Sequence, residues 1–124
     1  MSIKYSKDHE WVLIEDEIAI VGITDYAQNA LGDIVYVETP DADRSVEKGE
    51  ECATVESVKT ASDVYAPISG TIIEGNPALE DQPDLVNTSP EGDGWFFKMT
   101  VEDESELDDL MDEAAYNEYC EGLD

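Results

Sequence analysis

The chain has 124 residues, 32 acids against 6 bases, and a formal charge of −26 with its one histidine neutral. That length suits one domain with a buried core. The charge excludes nucleic-acid and anionic-membrane binding, which need clusters of Lys and Arg, and runs such as Val12-Leu13-Ile14 are far too short to span a bilayer.

In chain order, the first two-thirds reads as β. Glu10–Ile14 and Ile18–Val21 flank the acidic turn Glu15-Asp16-Glu17, which predicts a hairpin. Thr24 is an N-cap for a short helix over 24–31. Tyr26, Ala30 and Leu31 share its face, and Gly32 ends it. Asp33–Thr39 is a β-branched run that Pro40 stops. Short strands follow around 51–56, 61–65 and 70–74, separated by glycines, and 76–88 reads as loop. Trp95, Phe97, Met99 and Val101 alternate with Phe96, Lys98 and Thr100, the pattern of a half-buried strand. The tail changes period. Leu107, Leu110, Met111 and Ala114 recur at helical spacing, which predicts an acidic C-terminal helix over about 104–119. Many short strands at this spacing predict an all-β sandwich or barrel of antiparallel strands.

Candidate chemistry is sparse. Cys52 and Cys120 are far apart and read as ordinary thiols. His9 stands alone, so no metal site forms around histidines. Phosphate loops, nucleophile elbows and His-Glu-x-x-His are missing from the sequence, which points away from a self-contained enzyme. Trp11 and Trp95 read as core. One arrangement stands out. Gly49 lies ten residues before Lys59 and Gly70 eleven after it, with a strand on each side of the lysine. That is a hairpin carrying Lys59 at its tip, in a chain with only five lysines. On spacing alone, Lys59 could equally be an exposed lysine kept for solubility.

The words around it narrow this. His9-Glu10-Trp11-Val12, Val21 to Gln28, Leu31 to Val37, Glu56-Ser57-Val58-Lys59, Ser62 to Tyr65, Pro67-Ile68-Ser69-Gly70, Leu85-Val86-Asn87 and Gly94-Trp95 run in order over nearly the whole chain. Through them the sequence resembles the glycine cleavage system H protein family, carriers with a lipoylated lysine. A biotin carrier would be expected to show Ala-Met-Lys-Met, and a 2-oxo-acid dehydrogenase lipoyl domain something closer to Asp-Lys-Ala.

The resemblance implies a lipoyl/biotinyl-type barrel-sandwich hybrid spanning residues 1–124 as a single domain. It implies lipoate in amide linkage to Lys59, on an arm of about ten bonds reaching roughly a dozen ångströms. The implied function is a non-catalytic carrier, shuttling the aminomethyl group of glycine. Its implied partners are the PLP-dependent glycine decarboxylase, the aminomethyltransferase, dihydrolipoamide dehydrogenase and lipoylating enzymes. Glu56 and Gly70 match positions that present the lysine for lipoylation, Gly70 as a turn residue free to take positive φ. Glu10 and Asp63 match acids of the cleft that holds the loaded arm; Asp8 stands where the family has serine. An H-like carrier serving sulfur oxidation or lipoyl relay, and an unmodified interaction module, are the alternatives. The N-terminal sequence has no signal-peptide pattern, and the expectation is a cytoplasmic monomer. Two departures from the family are Asp43, where it has glycine, and Pro90-Glu91-Gly92, where it has Pro-Tyr-Gly.

Such a charge normally signals disorder, but 41% of the residues are hydrophobic and they are patterned. The expectation is a folded domain under self-repulsion. The thermal midpoint should therefore rise by several degrees as KCl goes from about 0.15 M to about 1 M, shrinking the Debye length from about 8 Å to about 3 Å. Calorimetry across that series checks this; a flat midpoint would mean the surface charge is already neutralised locally.

Overall fold

The strands form where alternation lets each face find cover. A computed structural model describes residues 2–123; positions 1 and 124, the ends of the expected domain, lie outside the described residues. In chain order the elements are β1 (Ser2–Tyr5), β2 (Glu10–Glu15), β3 (Ile18–Ile23), α1 (Asp25–Leu31), β4 (Ile34–Glu38), β5 (Ser45–Val46), β6 (Glu51–Ser57), β7 (Ala61–Tyr65) and β8 (Gly70–Gly75). Then come the one-turn helices α2 (Ala78–Asp81) and α3 (Leu85–Thr88), β9 (Phe97–Thr100), a 3₁₀ segment (Glu104–Asp109) and α4 (Glu113–Leu123). One sheet runs β1-β2-β3-β9-β8-β5 and the other β4-β6-β7, with every pair antiparallel. This is the expected antiparallel sandwich with a short first helix and a C-terminal helix. No helix among the described residues is long and apolar enough to cross a membrane.

Both faces of the six-stranded sheet are used. Along β2, Val12 and Ile14 point into the main core, which they share with Val21, Val37, Val55, Ile72 and Phe97. Their neighbours Trp11 and Leu13 point the other way, into a second cluster with Tyr5, Trp95, Tyr116 and Tyr119 that α4 covers. The turn between β2 and β3 closes tightly because Asp16 and Glu17 both take left-handed backbone, with φ of 49° and 68°. Asp43 also holds φ of 67°, so aspartate keeps the turn where the family has glycine.

The C-terminal helix over 104–119 is not continuous. Leu107 and Leu110 pack on the main core, and Met111 packs on the second cluster. Met111 is drawn into a two-way backbone bridge with Tyr5 (both N–H···O distances 2.8 Å). That extended residue breaks the helical period. The helix restarts when the Asp112 carboxylate accepts from Ala115 N–H at 2.8 Å. Ala114, expected on the stripe, is exposed. On α1 the inward face is Ala27, Gln28 and Leu31 rather than Tyr26, Ala30 and Leu31; Ala30 is exposed. Phe96 is fully buried although alternation placed it beside Lys98 and Thr100, because strand pairing starts only at Phe97.

Gly70 does not adopt positive φ. It opens β8 opposite Val46, where a Cβ would come within 2.0 Å of the Thr100 carbonyl oxygen. Close approach of two strands, not turn freedom, demands glycine there. Gly70→Ala should therefore lower stability by about 3 kcal/mol. Urea unfolding reads this directly, and a loss under about 1 kcal/mol would show that the strands can part.

Candidate functional site

The β6–β7 hairpin is closed by Ser57. Its N–H donates to the Thr60 carbonyl at 2.8 Å, while its hydroxyl accepts from Lys59 N–H (3.1 Å) and Thr60 N–H (3.2 Å). The amides at the tip are thus satisfied locally, and Lys59 stands exposed. Val58 N–H donates to the Asp33 carbonyl at 3.0 Å, which pins the tip to the end of α1.

That helix is formed as the sequence predicts. Thr24 Oγ1 accepts from Ala27 N–H at 3.2 Å, and Gly32 caps the C-terminus with φ of 86°. The Lys59 stem lies across Gly32. A Cβ built there would sit 3.3 Å from Lys59 Cε. Glycine is required twice, for the left-handed backbone and for room under the lysine. The C-terminal carbonyl end of a helix also favours a cation such as an unmodified ammonium group.

Next to Gly32, Leu31 lines a cleft of about 180 Å³ between α1 and the hairpin. Its walls are apolar (Ile23, Ala27, Leu31, Val55, Val64), and its polar contributors are Asp8, His9, Glu10, Ser62 and Asp63. Glu10 and Asp63, the two acids that the resemblance matched, both line this cleft. Asp63 is exposed, on β7 opposite Thr54. Glu10 is 2% exposed. Its Oε1 accepts from the Ser6 hydroxyl at 2.7 Å and its Oε2 from Tyr65 N–H at 3.2 Å. Burial pushes the Glu10 carboxyl up from the ordinary 4.5 to about 7, against those two hydrogen bonds; the Asp8 carboxylate pushes the same way as burial.

Glu56 is exposed on β6, opposite Ala61 and beside Tyr36 of β4, close to the tip. Gly70 is not brought to the lysine; it lies beyond the far end of β7, in the other sheet. Trp11 is core, and its Nε1–H donates to the Pro90 carbonyl at 2.9 Å. At the Pro90-Glu91-Gly92 departure, Glu91 makes its own contacts, accepting from Tyr5 hydroxyl (3.3 Å) and Asp25 N–H (3.2 Å).

Several residues that build the site escaped the sequence reading. Ser57 carried a readable signal, a serine opening a turn. Ser6 lies only four residues from Glu10, whose carboxylate it holds, but that carboxylate's burial is not local; Asn87 bonds backbone 53 and 55 positions away. His9, read only as too isolated to build a metal site, lines the cleft.

Known proteins share the sequence and the fold of this chain. The family model described as glycine cleavage H-protein matches residues 3–122. The chain is similar to the glycine cleavage system H protein of Thermotoga maritima, 59% identical over 117 residues covering 94% of each chain. It is similar to that of Paramagnetospirillum magneticum, 54% identical over 123 residues covering 99% of this chain and 98% of the relative. The crystal structure of a glycine cleavage system H protein from Mycobacterium marinum superposes with a TM-score of 0.87 at 38% identity, covering 94% of both chains.

The raised Glu10 carboxyl has a consequence for stability. Between its ordinary 4.5 and about 7 the folded chain holds a proton that the unfolded chain has lost. This contribution therefore falls as pH rises through that window and is level above it. Glu10→Gln should remove the fall and gain about 3 kcal/mol over the native chain above the window. Urea midpoints of both proteins below and above the window check this; parallel curves would show that Glu10 ionises freely.

Proposed function

The chain belongs to the glycine cleavage H-protein family and is a lipoyl carrier of glycine cleavage, not itself a catalyst; from that premise we propose that Lys59 bears the lipoyl group and that the cleft beside α1 shelters its far end. The observation that carries this reading is the seat of Lys59: an exposed lysine on a locally satisfied turn, with its stem over Gly32, whose chain neighbour Leu31 lines a mainly apolar cleft.

The residues fit the group. A Cβ at position 32 would crowd the lysine stem, and the glycine leaves that space open. When bound, lipoate supplies a disulfide that can be opened and closed again and a sulfur that can hold a one-carbon unit. The chain's own residues do the rest. Ser57 holds the turn so that Lys59 Nζ projects to an enzyme that acylates it. Glu56, exposed beside the turn, is a feature such an enzyme can read. Gly70 acts at a distance, by keeping β8 close to the end of β9. Ile23, Ala27, Leu31, Val55 and Val64 line the cleft with apolar surface and would exclude water from an aliphatic arm that entered it. Asp63 offers a carboxylate to a cationic amine on that arm. Glu10, poised near neutrality by burial, gives up its proton more readily when a cation arrives. Tethering keeps the cargo at high local concentration for each enzyme that visits.

In this reading the partners are the PLP-dependent glycine decarboxylase, the aminomethyltransferase, dihydrolipoamide dehydrogenase and a lipoylating enzyme. All of them must approach the hairpin tip. The domain works as one unit. Intact-mass analysis of protein from its native cells, with peptide mapping, should find one lipoyl group, on Lys59, and none in the Lys59→Arg chain. An unmodified Lys59 in cells whose other carriers are lipoylated would overturn the assignment.

A further inference from the structure

His9 lines the arm cleft, but its ring is held from behind. Tyr116, buried on α4, places its hydroxyl 2.7 Å from His9 Nδ1 and 2.6 Å from Thr24 Oγ1. The Tyr116 ring is itself fixed, stacked on Tyr5 at 4.6 Å between centroids with 11° between planes. The His9 ring stacks on Tyr26 of α1 at 4.6 Å and meets Tyr116 edge-on. The His9 backbone is in the left-handed region, with φ of 68°, and its carbonyl accepts from Thr24 N–H at 2.9 Å. So main chain and ring are both tied, and Tyr116 touches the cleft wall without lining the cleft.

The protons in this group can be ordered. Thr24 is 1% exposed, and its Oγ1 already accepts from Ala27 N–H. Among the described residues, Tyr116 Oη is the one remaining partner for the Thr24 hydroxyl proton. Thr24 therefore donates to Tyr116, and the Tyr116 proton goes to His9 Nδ1, the strong acceptor 2.7 Å away; in the reverse arrangement, with Nδ1–H donating, that proton would be left to the Cys120 sulfur, a weak acceptor. A neutral imidazole that accepts at Nδ1 carries its proton on Nε2. We propose that Tyr116 is a positioning residue for the arm cleft: it clamps His9 through Nδ1, fixes the Nε2–H form of the ring, and so gives the cleft wall a neutral N–H donor for an acceptor atom of the arm.

The clamp supports the reading of Lys59 given above and depends on it only in its last clause. Burial holds the His9 ring below its ordinary pKa, with Asp8 opposing, which keeps the donor neutral. The titratable groups around the ring are Asp8 beside it, Glu10 and Asp63 of the cleft, Tyr26 from α1, and Tyr116 and Tyr119 from α4.

His9 is the chain's one histidine, so ¹⁵N spectra report it without overlap. In the Lys59→Arg chain, which cannot carry an arm, Nε2 should be the protonated nitrogen at pH above the ring's titration. A spectrum with Nδ1 protonated, or with the two forms averaged, would overturn the clamp, and that measurement needs no variant of Tyr116. Tyr116→Phe keeps the stack on Tyr5 and removes both hydrogen bonds. It should release the ring to mixed tautomers and raise the His9 pKa by about half a unit or more, since a bond that only the neutral ring can accept is lost. An unchanged tautomer and pKa would overturn the role of Tyr116. In the lipoylated chain the Nε2–H signal should shift relative to Lys59→Arg. If lipoate is on Lys59 and the signal does not move, the donor does not serve the arm. If Lys59 is found unmodified, the carrier assignment fails while the tautomer result still decides the clamp.

Discussion

Asn87 fixes the seat on which Lys59 rests. Its Nδ2 donates to Gln28 Oε1 and to the Gly32 carbonyl, both at 2.9 Å, and its Oδ1 accepts from Ile34 N–H at 2.8 Å. One side chain from α3 thereby joins the end of α1 to the start of β4. Those are the two backbone groups that the lysine hairpin leans on, through Gly32 beneath the stem and Asp33 beneath Val58. On the proposal that Lys59 carries the arm, a rigid base matters, because any slack at the attachment point adds to the volume that the far end must search. Here the base is rigid through main-chain bonds and one saturated amide, not through bulk, which leaves the lysine itself uncovered.

Charge is managed by location. A chain at −26 cannot afford to spread acids through its interior, and among the described residues Glu10 is the one carboxylate in the buried set. Its neighbours supply two donors and no base. Burying an acid without a cation beside it favours the protonated form, which an apolar residue would avoid altogether. Under the proposed function, the cation that would favour the charged form is the amine carried on the arm. The three ion pairs among the described residues, Arg44–Glu50, Lys48–Asp109 and Lys98–Glu74, are all partly exposed and give little to stability.

Legibility followed range. The hairpin at 10–21, the helix at 24–31 with its Thr24 cap and Gly32 stop, and the lysine turn are all written in residues a few positions apart, and the sequence read them correctly. The break in the C-terminal helix was not readable, because Met111 is extended by a bridge to Tyr5 at the other end of the chain. Gly70 was recognised as necessary for the wrong reason. A glycine in a sequence does not say whether it relieves torsion or makes room, and only the position of the Thr100 carbonyl decides. His9 and Tyr116 are 107 positions apart, so no local pattern could pair them. Glu10 and Asp63 came from resemblance, since in a chain of 32 acids no composition argument selects two.

The division of β2 between two faces explains how distant parts of the chain meet at the cleft. Glu10 begins the strand with its carboxylate toward β7, Trp11 turns to the outer cluster, and Val12 returns to the core. One strand thus contributes to the cleft, to the α4 dock and to the sandwich interior in three consecutive residues. The docking of α4 is then not separable from the site. Tyr116 stacks on Tyr5 to bury the outer cluster, and the same residue reaches past the sheet edge to His9. A tail that reads as an acidic helix thereby reaches, through one hydroxyl, a residue that lines the cleft.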